Sequence, residues 1–252
     1  MLGIERRQKI MEILQRDNKV YVAKLAQEFN ITEETVRRDL EKLEKQNLLL
    51  RSYGGAVLPD KATEDISFDQ RSITNVTEKR QLTNKAARLI ENGDTIFMDS
   101  SSTALMLRPY LEEKENITVI TNSVRLLYDA ALSTNLNILS TGGKLKKNSF
   151  ALIGPSALDT ISKFTVDLAI ISCKALNAKH GSMESTEEEA VIKKTMLSRA
   201  KKSILLADHH KFDKTAFART CDLKELTYLV TDKKPSSEWI KLAEKNDIEL
   251  IC

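Results

Sequence analysis

Apolar residues recur at helical spacing through the first 45 positions and then give way to a helix–strand alternation. Ile10, Ile13 and Leu14 mark a helix over residues 4–16, closed by Asp17-Asn18. A second short helix is predicted near 21–29, with Val22, Leu25, Ala26 and Phe29 inward. After Asn30-Ile31-Thr32, the residues Val36, Leu40 and Leu43 form a stripe at i, i+4 and i+7. Thr32 is a natural N-cap for this third helix, and Glu33 and Glu34 suit the positive end of its dipole. LLLRSY has strand character, and Gly54-Gly55 suits a tight turn. Residues 57–76 lose the period: Pro59-Asp60-Lys61 breaks regular structure, and TEDISFDQRSITN reads as a linker ending in a segment packed on the next domain through Phe68.

From about residue 77 helices are expected over 77–93, 102–113 (interrupted by Pro109), 123–134, 154–164, 185–200 and 236–246. Short apolar strands fall between or after them, in DTIFMD, ITVIT, NILST, DLAIISC, SILLAD, LTYLVTD and IELIC. This alternation implies an open, mainly parallel α/β sheet covered by helices on both faces.

Helix, short turn, helix is the arrangement that presents its second helix to the DNA major groove. The apolar stripe leaves Thr35, Arg38, Lys42 and Lys45 on or beside the opposite face of the third helix. Hydroxyl and basic side chains there suit base edges and phosphates. Arg51 on the strand pair that follows, read as a β-wing, is placed for a phosphate, and Tyr21 and Thr32 border the same surface. Arg37 points to the flank, where an ion pair with Glu41 competes with a DNA role.

Composition narrows this reading. Net charge is only +3 in 252 residues, and the first 58 are nearly balanced, so DNA binding must rest on where the charges sit. Cys173, Cys221 and Cys252 are widely spaced, with no CxxC pair or zinc spacing, so free thiols in a reducing cytosol are expected. No apolar run is long enough to span a bilayer, and the N-terminus lacks a signal-peptide core, which makes the protein cytoplasmic on this reading.

In open α/β sheets ligands bind beyond the carboxyl ends of the strands. Five strands here are followed by polar loops: Asp99-Ser100-Ser101-Ser102-Thr103, Thr121-Asn122-Ser123, Thr141-Gly142-Gly143-Lys144, Ser172-Cys173-Lys174 and Asp208-His209-His210-Lys211. Hydroxyl-rich helix starts offer N–H groups to an anion, Gly142-Gly143 permits close backbone approach, and Lys144, Lys174 and Lys211 supply charge. A small polyhydroxylated anion such as a sugar phosphate fits that edge. Each loop taken alone is an ordinary helix cap. An enzyme reading needs a proton shuttle, for which Asp99, Glu189 and Asp208 are the candidates. The adjacent histidines are expected to point apart in a solvated loop, without a metal. No P-loop, dinucleotide fingerprint or nucleophile elbow is present, and no cofactor is expected.

The run TVRRDLEKLEKQN followed by LRSYGGA resembles the DeoR family of bacterial transcriptional regulators. The resemblance continues through Glu78-Lys79, GDTIFMDSSST, ITVITNS, GGK at 142–144, GPSA, EEEA at 187–190 and ADHHKF. It implies a winged helix-turn-helix over 1–58, a linker and packing segment over 59–76, and a phosphosugar-sensing α/β domain over 77–252 akin to ribose phosphate isomerase. It implies repression of sugar-metabolism genes, relieved by a phosphorylated sugar; a homodimer or homotetramer on double-stranded operator DNA is expected because one such module makes few base contacts. By motif match, Arg37 and Arg38 are implied DNA contacts. Asp99, Ser100 to Thr103, Asn122, Gly142, Gly143, Glu189, Asp208 and Lys211 are implied effector contacts, to which the residue reading adds Ser123, Lys144 and Lys174. The chain departs from the family pattern at Ser101 and Ser102, where Gly and Thr are usual, at Ser172-Cys173-Lys174-Ala175, where a Gly-x-Gly-like segment is usual, and at Tyr53, where histidine is common. The loop also lacks the acidic residue of the isomerases. The alternative reading is an isomerase-like enzyme with a DNA-binding appendage.

Arg38→Ala is expected to lower the preference for operator over random DNA by roughly 1–3 kcal/mol. An unchanged preference in a gel-shift competition would remove Arg38 from base readout.

Overall fold

The computed structural model describes residues 2–17, 19–46, 48–52, 54–57, 65–131 and 136–252. Tyr53 of the wing, residues 59–64 of the expected linker and the tail of the helix expected over 123–134 lie outside the described residues. The chain divides into two compact units, Met1–Asn75 and Val76–Cys252.

The first unit runs α1 (Gly3–Asp17), β1 (Lys19–Tyr21), α2 (Val22–Phe29), α3 (Glu33–Lys45), β2 (Leu50–Ser52), β3 (Gly55–Val57) and α4 (Phe68–Ile73). Ile10, Leu14, Leu25, Val36, Leu40, Leu43 and Leu49 make its core. Asn30 closes α2 in the left-handed region at φ 52°, and Thr32 then caps α3 by accepting from the Thr35 amide. The wing is a three-stranded antiparallel sheet in the order β1-β3-β2. Strand β1 was not anticipated, since Tyr21 reads as the start of the second helix; it is the third strand that seats the wing. Gly55 makes this pairing possible, because a Cβ there would lie 2.0 Å from the Val20 carbonyl oxygen.

Two details depart from the periodic reading. Residues 68–73 are helical, set by a capping box in which Ser67 accepts from the Gln70 amide and the Gln70 side chain accepts from the Ser67 amide. A helix of six residues is too short to show a period. Asp39, inside the apolar stripe of α3, is 3% exposed and accepts from Arg6 Nε at 2.5 Å and Arg7 Nη1 at 3.4 Å. This pair ties α1 to the buried side of α3.

The second unit runs α5 (Val76–Ala86), β4 (Thr95–Met98), α6 (Ser102–Leu105), α7 (Arg108–Glu112), β5 (Thr118–Thr121), α8 (Val124–Ala130) and β6 (Asn137–Ser140). It continues through β7 (Lys144–Lys146), β8 (Ala151–Ile153), α9 (Pro155–Ser162), β9 (Val166–Ser172), β10 (Ala175–Asn177), β11 (Gly181–Glu184) and α10 (Glu187–Ser198). It ends with β12 (Ala200–Leu206), β13 (Ala218–Cys221), β14 (Tyr228–Val230), α11 (Ser237–Lys245) and β15 (Glu249–Ile251). The main sheet has seven strands in the order β15-β14-β12-β9-β4-β5-β6, each pair parallel.

The two-residue pleat splits its side chains between two cores. Phe97, Ala169, Ile171 and Leu205 face α9, α10 and α11, while Ile96, Met98, Ile170 and Ile204 face α5 to α8. Pro109 stands in the first turn of α7, so the helix expected over 102–113 is two short pieces. Outside the expected alternation are the β7–β8 hairpin and a second antiparallel sheet, β10-β11-β13. Their strands of three or four residues carry too few alternations to announce themselves.

Removing Asp39 would leave two cations at the α1–α3 contact without their acceptor. Asp39→Ala is expected to destabilise the first unit by about 2–3 kcal/mol, below the range for fully buried pairs because both arginines are partly exposed. Urea unfolding of the full chain checks this, and a change within 0.5 kcal/mol would show the pair to be dispensable.

Candidate functional site

In the first unit, α3 turns the expected face outward. Arg37, Arg38, Lys42 and Thr32 are exposed and Thr35 is half-buried, its hydroxyl 2.9 Å from that of Thr32. Tyr21 is 43% exposed, and the ammonium groups of Lys19 and Lys24 lie 5.8 and 5.5 Å from its ring centroid. Arg51 is exposed on β2, where its Nε donates to Glu44 Oε2 at 2.6 Å. The expected partner of Arg37 was wrong: its guanidinium donates to Glu33 rather than Glu41, and Glu41 pairs with Lys45. The i−4 carboxylate lies toward the helix N-terminus, where a glutamate before a cation is the better orientation.

In the second unit, parallel strands bring the five polar loops to one sheet edge. Asp99 follows β4 and is 1% exposed. Its Oδ1 accepts from the Ser101 amide at 3.0 Å and the Ser101 hydroxyl at 2.5 Å. Its Oδ2 accepts from the Ser172 amide at 2.9 Å and lies 3.1 Å from Lys193 Nζ. Lys193 also donates to Glu184 and to the Ser172 carbonyl. Burial alone would lower the pKa of this ammonium, but Glu184, Asp99 and Glu189 overcome that and raise it above the ordinary lysine range. The group is charged at neutral pH, and it clamps β4, β9, β11 and α10 together at the edge.

Further polar groups stand around this clamp. Lys79, 4% exposed, donates to Ser102 Oγ at 3.2 Å. Lys211 donates to Ser172 Oγ at 2.7 Å and lies 3.8 Å from Asp208 Oδ2, while Asp208 Oδ1 accepts from the His210 amide. Lys146 on β7 donates to Glu189 Oε2 at 2.7 Å and to Thr186 Oγ1 at 2.8 Å. Asn122 donates through Nδ2 to the Leu152 carbonyl, which leaves its buried Oδ1 without a hydrogen-bond partner among the described residues. Ser123 caps α8, and Gly143, at φ 115°, packs so closely that a Cβ would lie 2.6 Å from the Ile153 carbonyl oxygen.

Asp99, Ser101, Ser172, Asp208 and Lys211 are thus joined in one network, while Lys79 pairs with Ser102 and Lys146 with Glu189. Ser100 and Thr103 are buried in the same loop. Lys144 and Gly142 are exposed at and before the start of β7, and Lys174 is half-buried with its amide bonded to the Met183 carbonyl. The hydroxyl-rich loop works differently from the helix-start expectation. The helix it opens has only four residues, and the Ser101 and Ala104 amides are already engaged by Asp99 and Ser101.

The histidines also depart from expectation. His209 and His210 have ring centroids 3.8 Å apart instead of pointing apart. A 3-10 turn carries both, and Asp232 holds His209 through its amide and through Nδ1, each at 2.7 Å. Among the described residues no group of three His, Cys, Asp or Glu is arranged to hold a metal ion. The residues missed in the sequence are Lys79, Lys146, Glu184 and Lys193. Lys193 had a signal, since it interrupts the buried stripe Ala190, Ile192, Met196 of α10, where a charge requires partners.

Two family descriptions match: the DeoR-like helix-turn-helix domain over residues 6–62 and the DeoR C-terminal sensor domain over residues 74–233. The chain is 37% identical to the uncharacterized HTH-type transcriptional regulator YulB of Bacillus subtilis, over 99% of this chain and 96% of that one. It is 34% identical to the HTH-type transcriptional repressor GlcR of the same organism, over 98% and 95%. It is 27% identical to the glycerol-3-phosphate regulon repressor of Escherichia coli, over 99% of both. Ribose 5-phosphate isomerase A of Methanocaldococcus jannaschii overlaps 55% of each chain at 16% identity and a TM-score of 0.41. A winged helix-turn-helix joined to a parallel α/β domain is the layout of a regulator with a reader and a sensor. The chain belongs to the DeoR family of transcriptional regulators. Among the described residues no helix is long and apolar enough to cross a membrane.

Burial pushes the Cys173 thiol beside this edge up to about 11. The folded chain therefore holds that proton more tightly than the unfolded chain, whose thiol titrates near 9.0. The resulting stability is fully present below pH 9 and is lost as pH rises through 11, a fall of roughly 2–3 kcal/mol. Urea unfolding between pH 8 and 11 is expected to show a shallower decline for Cys173→Ala than for the native sequence. Parallel declines would contradict the assignment.

Proposed function

We propose that this chain is a cytoplasmic, DNA-binding repressor whose grip on its operator is relieved by a phosphorylated sugar or polyol. The reading of DNA rests on α3, with Arg38, Arg37, Thr35 and Lys42 toward base edges and phosphates, and Thr32, Tyr21 and Arg51 at the flanks. Paired half-sites on a homodimer or homotetramer would supply the affinity that one such module lacks.

The effector reading is carried by one observation: Lys79 on Ser102 and Lys211 on Ser172 bring ammonium groups to a single sheet edge among buried hydroxyls. Ammonium and hydroxyl donors suit phosphate oxygens. The Asn122 acceptor suits a hydroxyl hydrogen. Asp99 is engaged on both oxygens, so its role in this reading is to hold the Ser101 and Ser172 loops in place. A relative at 27% identity is a glycerol-3-phosphate regulon repressor, and that name supports a phosphorylated polyol as the chemical class here.

Catalysis is not part of this reading. An isomerase needs a carboxylate free to take a substrate proton, whereas Asp99 is occupied by the buried Lys193 and Glu189 by the partly exposed Lys146. Turnover of a pentose or hexose phosphate by the purified chain would favour the enzyme reading instead.

Titration of a phosphosugar panel into the protein–operator complex tests the proposal. At least one phosphorylated sugar is expected to lower operator affinity tenfold or more, while its unphosphorylated counterpart leaves it unchanged. Lys79→Gln is expected to raise the effector concentration required by about tenfold, as a charge-assisted hydrogen bond is lost. No effect from any phosphosugar would refute the switch.

A further inference from the structure

Three cations of the reading helix, Arg37, Arg38 and Lys45, have carboxylate neighbours. Arg37 Nη2 donates to Glu33 Oε2 at 2.6 Å, Arg38 Nε donates to Glu34 Oε1 at 3.3 Å, and Lys45 Nζ lies 2.7 Å from Glu41 Oε1. Each pair spans one helical turn with the glutamate on the N-terminal side. Arg51 of the wing is tied to Glu44 of the same helix by both its amide and its Nε. The side chains of Arg38 and Glu34 are 73% and 61% exposed, so this pair is solvated and easily opened. Such pairs contribute little to holding the helix together. Their consequence appears when the face meets a duplex.

Non-specific binding draws on the phosphate charge alone and grows with each cation that displaces a counterion. A helix start carrying Glu33 and Glu34 beside Arg37 and Arg38 presents almost no net charge to phosphates. Base edges discriminate where phosphates do not. Guanine offers two acceptors in the major groove and cytosine an amino donor, so one G·C pair can satisfy a guanidinium and a carboxylate together. An edge without an amino donor leaves the freed carboxylate facing acceptor lone pairs in a desolvated groove, which is unfavourable. The first turns of a recognition helix are also the part that reaches base edges.

The geometry points to Glu33 and Glu34 as specificity-determining residues of the DNA interface. They hold down affinity for random DNA and penalise sequences that place no amino donor opposite the start of α3. This inference rests on the DNA-reading role proposed above.

Fluorescence anisotropy of the full chain on two duplexes of equal length tests it, one selected from a random pool by the native protein and one of random sequence. Glu34→Gln and the double change Glu33→Gln/Glu34→Gln are compared with Glu12→Gln, which removes the same charge from the exposed face of α1. The α3 variants are expected to gain roughly three- to tenfold in affinity for the random duplex at 0.1 M salt, and less than twofold for the selected duplex. Glu12→Gln is expected to change neither by more than twofold. An equal gain on both duplexes, the same gain from Glu12→Gln, or no gain would overturn the inference and leave the DNA-reading role standing. A native chain that binds no duplex would overturn that role, and the inference with it.

Discussion

The buried ammonium of Lys193 is the constraint on which the sensor edge depends. It reaches from α10 to the Asp99 carboxylate after β4, the Ser172 carbonyl at the end of β9 and the Glu184 carboxylate at the end of β11. A charge so buried persists only with such partners. In holding them it fixes the loops that carry Ser100 to Thr103 and Ser172 to Lys174. Asp99 extends the brace by taking the Ser101 and Ser172 amides and the Ser101 hydroxyl, while the Ser102 and Ser172 hydroxyls meet Lys79 and Lys211. The edge is thus preorganised by charges that a ligand need not touch.

The first unit follows the same logic on a smaller scale. Asp39 sits in the apolar stripe of α3 and accepts from Arg6 and Arg7, so a buried carboxylate sets how α1 meets the reading helix. On the outer face of α3 the cation–carboxylate pairs are solvated. They shape what the helix will bind more than how it is held. Buried pairs fix geometry in both units, and exposed pairs are free to exchange partners.

The parallel sheet, the apolar stripe of α3 and the Thr32 cap were legible because each follows from a period or a local signal. The polar loops after five strands were legible because strand direction alone puts them on one edge. Short strands escaped notice, as in the β7–β8 hairpin and the β10-β11-β13 sheet, because three or four residues carry no readable period. The lysines of the site escaped for another reason. Lys146 reaches Glu189 across 43 positions and Lys79 reaches Ser102 across 23, and nothing local marks a long-range ion pair. Two expectations failed through local geometry, the partner of Arg37 and the divergence of His209 and His210. Helix orientation and a 3-10 turn decided those.

The central claim is that the edge between Asp99 and Lys211 receives the effector. Hydrogen–deuterium exchange on the full chain, with and without a phosphorylated sugar that releases operator DNA, tests it most directly. The account predicts slower exchange in the segments around residues 99–103, 172–174 and 208–211. Protection confined to the basic cavity lined by Arg80, Lys85, Arg88 and Tyr110, with those three segments unchanged, would contradict it.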